Sequence, residues 1–160
     1  MGGHERTEDG HHLIINGRKW RASDPAIPEP LRQELVTELM TARRLIKSRG
    51  DEGRFRAHDA KVALGERGEP WWETSKDGQR ERLGAAVRAL LRKREGSTIC
   101  PSDAARIVGG ENWRELMPLA REVAGDLAGT EEVRITQRGD EVSADASGPI
   151  RLAPGPALQH

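Results

Sequence analysis

The 160-residue chain carries 26 Lys plus Arg against 26 Asp plus Glu, a net charge of zero, with 35% hydrophobic and 32% charged residues. That length holds one domain or two small ones, and the balance of charge argues against strong non-specific nucleic-acid binding, which needs a basic excess. The single cysteine, Cys100, excludes an internal disulfide and a cysteine-based zinc site, and no apolar run approaches the roughly 18 residues of a membrane span.

Met1 to His11 is polar and Gly-rich, has no apolar signal region, and is predicted to be disordered. A cytoplasmic location is the corresponding expectation. From His12 the chain reads as a unit to Glu73. Asn16-Gly17 between apolar-bearing runs predicts a hairpin of Leu13–Ile15 and Arg18–Arg21, since both turn residues tolerate positive φ. Asp24 to Pro30 holds three prolines and reads as a rigid connector. Leu31, Leu35, Leu39, Ala42 and Ile46 then recur at helical spacing and predict a helix over 31–48. Arg49 to Gly53 breaks it, and a weaker helix follows over 54–66. Pro70-Trp71-Trp72 ends the unit, with the paired indoles expected to cap a thin core. Glu73 to Gly78 reads as a linker.

The second half, residues 79–152, has a clearer pattern. Leu83, Val87, Leu90 and Leu91 mark a helix over 79–94, followed by an extended link at 97–100. Ser102 is expected to cap a short helix over 103–108. After Gly109-Gly110 a third helix runs to about residue 128, and Asn112 with Glu115 has capping-box spacing. Pro118 demands either a short turn over 113–117 with the main helix starting behind it, or a bend. Alternation of Val133 and Ile135 predicts a strand over 132–138; a polar loop over 139–148 and a short strand over 149–152 follow. Residues 153–160 read as a disordered Pro/Gly tail. The expected fold is mostly α with small β: a β-hairpin plus helical pair, then a winged helix-turn-helix.

Ile99-Cys-Pro-Ser102, Trp113-Arg114, Leu116-Met-Pro118, Arg134-Ile-Thr-Gln137 and Gly148-Pro-Ile-Arg151 resemble a bacterial family, the domain of unknown function 3253. The resemblance covers residues 82–152 and implies a winged-helix fold without an activity. Asn16-Gly-Arg18, Trp20-Arg21, Asp24-Pro25, Asp59-Ala-Lys61 and Ala63 to Gly68 with Pro70-Trp-Trp72 resemble small actinobacterial proteins sometimes labelled biopolymer (Tol-like) transporters. Nothing in the sequence supports transport.

Candidate chemistry is sparse. A winged helix can set its third helix in the major groove and its wing on the backbone. Arg114, Arg121, Arg134 and Arg138 are the candidate contacts to double-stranded DNA, with Arg80, Lys93 and Arg94 for phosphates. Residues 76–94 carry a local net charge of +5. A DNA-associated accessory or regulatory protein is the leading expectation; the alternative is a protein-interaction adaptor with a protein partner or self-association, since the third helix also bears Glu115, Glu122 and Asp126. Cys100 reads as a small buried residue rather than a nucleophile. His58, Asp59 and Glu66 read as a solvated face rather than metal ligands, and His11-His12 as exposed. Met1-Gly-Gly-His4 has the donor set for square-planar Cu(II) or Ni(II), a cheap coincidence. Trp20, Trp71, Trp72 and Trp113 read as core or interdomain contacts, and Arg49-Gly-Asp51 as a turn. No catalytic constellation, cofactor fingerprint or metal site is expected.

Overall fold

The structure, a computed structural model, describes residues 5–160. It is a mixed α/β fold of five α-helices with two small antiparallel sheets. Among the described residues, no helix is long and apolar enough to cross a membrane.

The first sheet has the order β1-β2-β3, with β1 at Glu5–Arg6, β2 at His12–Ile15 and β3 at Arg18–Arg21. Asn16 (φ 52°) and Gly17 (φ 77°) make the predicted tight turn, and Leu13 pairs with Trp20 across it. The stretch expected to be disordered before His12 instead contributes β1, held to Ile14 and Leu13 by backbone pairing. Its two residues are exposed, so no apolar signal marks it.

Helix α1, Glu29–Arg49, buries Leu31, Leu35, Leu39 and Ala42, the predicted stripe. It starts earlier than expected because Pro30 lies in the first turn, where a missing N–H costs nothing. A 3-10 turn, Gly50–Gly53, passes the chain back into α2, Arg54–Leu64. Gly53 is obligatory there: a Cβ would collide with the Ala42 carbonyl. Glu38 of α1 is buried but accepts both hydrogen bonds of a bidentate pair from Arg56 of α2, at 2.7 and 2.8 Å.

Helix α3, Lys76–Lys93, begins inside the expected linker because the Ser75 side chain accepts the Gly78 N–H at 3.0 Å. It is the central element, packed against α1, α2, α4 (Pro101–Gly109) and α5 (Met117–Gly129). Leu83, Ala86, Val87, Leu90 and Leu91 are buried within it. Between α4 and α5 runs a 3-10 segment, Gly110–Leu116. The second sheet has the order β5-β4-β6, with β4 at Val133–Gln137, β5 at Asp140–Glu141 and β6 at Arg151–Pro154. Ile99, ahead of α4, bridges to Leu152 on the other side of β6.

The two halves share a core. One buried cluster runs from Ile27 and Leu31 through α3 to Leu152 and Leu158. Polar ties cross the same seam. Arg82 of α3 pairs with buried Asp24 at 3.0 Å and donates to the Ala63 and Ile107 carbonyls. Asp59 of α2 accepts from Arg88 and from Arg92, the latter at 2.5 Å. Arg94 bridges Glu34 of α1 and Asp103 of α4. The final residues are also part of the fold rather than a free tail. The Gly155 and Ala157 amides donate to the Glu132 and Glu131 carbonyls, Leu158 is buried, and Arg92 donates to the Gln159 carbonyl at 2.7 Å.

Burial pulls the Arg82 and Arg92 guanidiniums below their ordinary values, against the opposing pull of Asp24 and Asp59. Removing an acid therefore strands a charge out of water. Asp59→Ala is expected to cost about 3–5 kcal/mol in urea unfolding, a large part of a typical domain's stability. A loss below about 1 kcal/mol would mean that water reaches Arg92 freely.

The hydrogen bond from Arg94 holds the Glu34 carboxyl below its ordinary value of 4.5. Its contribution is thus fully present above pH 4.5 and is lost as the pH falls through the lowered value. Arg94→Gln should destabilise the chain clearly at pH 7 and progressively less on acidification. A constant difference from pH 7 to pH 3 would contradict that linkage.

Candidate functional site

The four predicted DNA contacts lie on three different elements and a turn. Arg121 is the only basic residue of α5. Its guanidinium donates to the carbonyls of Ala144 (3.0 Å), Ala146 (2.9 Å) and Gly148 (2.5 Å). Those carbonyls belong to the loop between β5 and β6, so Arg121 fastens that loop to the helix. Arg114, in the 3-10 segment, lies 4.5 Å over the Trp113 ring, and Arg106 of α4 lies 4.4 Å from the same ring. Arg134 projects from β4 with Glu141 at 3.8 Å. Arg138 (φ 54°) and Gly139 (φ 87°) form the tight β4–β5 turn, which leaves Arg138 exposed at its tip.

The proposed phosphate contacts are mostly occupied as well. Arg80 pairs with Glu122 and Asp126 of α5, and Arg94 with Glu34 and Asp103. Lys93 is half-buried. The local excess of +5 in residues 76–94 therefore faces acids of the same molecule, not an open basic stripe.

What α5 does present is different. Its first turn sets half-buried Met117 and exposed Pro118 beside Ala144 of the fastened loop. Together with Arg121, Glu122 and Asp145 they line an open depression of about 530 Å³. The helix starts at Met117 after a break, as the shorter of the two expected arrangements has it, and Pro118 sits in the first turn. Asn112 caps nothing: it lies inside the 3-10 segment with φ −94° and ψ 19°.

Residues 80–154 match the family described as protein of unknown function (DUF3253). The DUF3253 span is a little under half of the chain and runs from the second turn of α3 to the end of β6. It contains Arg121, the loop it holds and the depression. No curated protein matches the chain.

The remaining candidates separate in space or take structural places. Cys100 is half-buried at the start of α4, not buried as expected; Asp103 accepts its N–H at 3.1 Å, and Arg151 donates to Sγ at 2.6 Å. The helix begins at Pro101, so the Cys100 position and not Ser102 precedes it. Asp59 is committed to Arg88 and Arg92, Glu66 accepts from Ser23, and His58 stands exposed 3.2 Å from Arg67. His11 is not a bare surface residue, for its ring stacks on Trp72 at 3.8 Å and meets Trp71 edge-on. Trp71 donates to the Ala22 carbonyl at 2.9 Å, so the Trp pair anchors the hairpin. Trp20 is exposed rather than packed in the core. Arg49 and Asp51 pair with Glu52 and Arg54 in the turn after α1. Met1-Gly-Gly-His4 lies outside the described residues.

The role of Arg121 has no sequence signal, because its acceptors are backbone carbonyls more than 20 residues away. Arg121→Ala is expected to free residues 143–148, read as faster amide exchange confined to that loop, with a stability loss of about 2 kcal/mol. Unchanged exchange there would mean that the loop is held by other contacts.

Proposed function

We propose that the chain is a winged-helix protein-docking module that works without reading DNA. The order of α3, the Ile99 bridge, α4, α5, β4, loop and β6 supports the winged-helix assignment, with the bridge and β4 on opposite sides of β6. One observation carries the functional reading: Arg121, the only cation on the helix that would enter a groove, is bound to three carbonyls of its own chain.

Without Arg121 the outer face of α5 offers Met117, Pro118, Glu122 and Asp126. Glu122 and Asp126, paired with Arg80, offer a phosphate backbone no donor, and neither Met nor Pro supplies one to a base edge. Apolar groups on a rigid loop-and-helix frame, rimmed by charge, instead suit the centre of a protein interface. DNA association is the second reading. It is favoured by Arg138 at an exposed turn tip and by the exposed guanidiniums of Arg114 and Arg134.

Fluorescence anisotropy with mixed-sequence duplexes at about 50 and 200 mM salt separates the two readings. No binding is expected at micromolar protein. In parallel, a photo-crosslinker at position 118 should give one defined protein adduct in cells, abolished by Met117→Asp. Salt-sensitive duplex binding that disappears in Arg114→Ala/Arg138→Ala would overturn the docking reading in favour of DNA.

A further inference from the structure

The first sheet and the helical pair enclose a second surface, on the opposite half of the chain from the α5 depression. Leu13 and Ile15 are two apart on β2 and so share a face; Trp20, paired with Leu13, joins them. This face does not belong to the buried core cluster, and Trp20 is 46% exposed. Opposite it stand Arg43 of α1, Lys61 of α2 and Arg67 just beyond α2. The space between is a cleft of about 530 Å³, a size that suits a small molecule.

Along the helix seams cations face carboxylates: Arg56 has Glu38, Arg82 has Asp24, Arg88 and Arg92 have Asp59, and Arg94 has Glu34 and Asp103. In the cleft, exposed Arg43 and Arg67 and half-buried Lys61 lack such partners, and Arg67 reaches the His58 ring at 3.2 Å. Among the described residues, neither Arg43 nor Lys61 nor Arg67 has a carboxylate within 4.0 Å. Glu66, the one acid lining the cleft, accepts a hydrogen bond from Ser23 at 2.5 Å. Lys61 is half-buried, and its charged form is disfavoured first by burial and then by Arg67 and Arg43, against a smaller opposing pull from Glu66. Three cations crowded against an apolar wall are a poor arrangement for stability and a good one for capturing an anion.

We propose that this cleft binds a small organic anion, with its phosphate or carboxylate held by Arg43, Lys61 and Arg67 and a planar apolar body laid on Trp20, Leu13 and Ile15. The guanidiniums supply paired donors for a planar or tetrahedral oxyanion, and Lys61 supplies a point charge at the inner wall. Trp20, with Arg18 placed 4.7 Å over its ring, offers the stacking surface at the mouth. The site lies outside the span matched to DUF3253 and is independent of the docking surface on α5.

The test uses the full chain and three probes: 1-naphthyl phosphate, 1-naphthoate and the neutral 1-naphthol. Indole N–H signals in two-dimensional NMR report all four tryptophans separately. Saturable binding of at least one anion with Kd below about 1 mM is expected, with the Trp20 signal moving and the Trp113 signal still. Which anion binds more tightly identifies the head group. Lys61→Gln and Arg43→Gln should each weaken binding about tenfold, and Lys61→Gln should leave Tm unchanged or raise it. The proposal fails if neither anion saturates by about 10 mM, if 1-naphthol binds as well as the anions, or if Lys61→Gln keeps full affinity. It also fails if Lys61→Gln lowers Tm markedly, since the lysine would then be structural.

Discussion

The fold depends on a row of arginines along α3. Arg82, Arg88 and Arg92 project from the helix, with Arg94 at its end, and each finds an acid or a carbonyl on another element. Asp24 comes from the connector, Asp59 from α2, Glu34 from α1, and the Gln159 carbonyl from the last turn of chain. A helix that is apolar on several sides would only need to be covered; a helix that also carries buried guanidiniums must be covered in one register. The apolar cluster around Leu83, Leu90 and Leu91 provides the driving force. The ion pairs provide position, because a shift of one turn would leave several buried charges unpaired at once.

That constraint changes the meaning of the local charge. The excess of +5 over residues 76–94 looks like a nucleic-acid footprint when read along the chain. In three dimensions it is met by acids from the first half and from α5, which also explains why a chain of zero net charge can hold such a basic segment. The interior and the helix seams take most of the basic groups of this segment. The clustered cations left facing a cleft, Arg43, Lys61 and Arg67, belong to the other half of the chain.

Local signals were legible wherever the controlling contact is local. Asn16-Gly17 announces its turn, the Leu31-Leu35-Leu39 stripe announces α1, and Val133 with Ile135 announces β4. The failures share a cause. β1 is held by backbone pairing with exposed side chains, and the end of the chain by Arg92 reaching across 67 residues to the Gln159 carbonyl. Neither leaves a periodicity. The contacts between the two halves leave no periodicity either, since nothing in the residues 73–78 segment says that Asp59 will meet Arg92. For the candidate site, Arg121 was visible as a residue but not as a clamp, because carbonyl acceptors carry no sequence identity. The cleft cations were legible only as scattered surface charges. Their convergence is a product of the α1–α2 turn at Gly53 and of the hairpin's position, set by Trp71 and Trp72.

The two surfaces differ in stiffness, and the difference follows from how each is built. The α5 depression is bounded on one side by a helix packed into the core and on the other by a loop pinned through three charge-assisted hydrogen bonds. A partner meeting it would find the shape already formed and lose little to reordering. The hairpin wall of the cleft has no such frame. Its strands contribute nothing to the buried core cluster and are moored at one end, by the His11–Trp72 stack, the Trp71 hydrogen bond and the Arg21 contacts to the Gly65 and Gly68 carbonyls. The cations stand on the opposite wall, on and just beyond α1 and α2, so the cleft sets a wall carried by helices packed into the core against a wall carried by a sheet outside it.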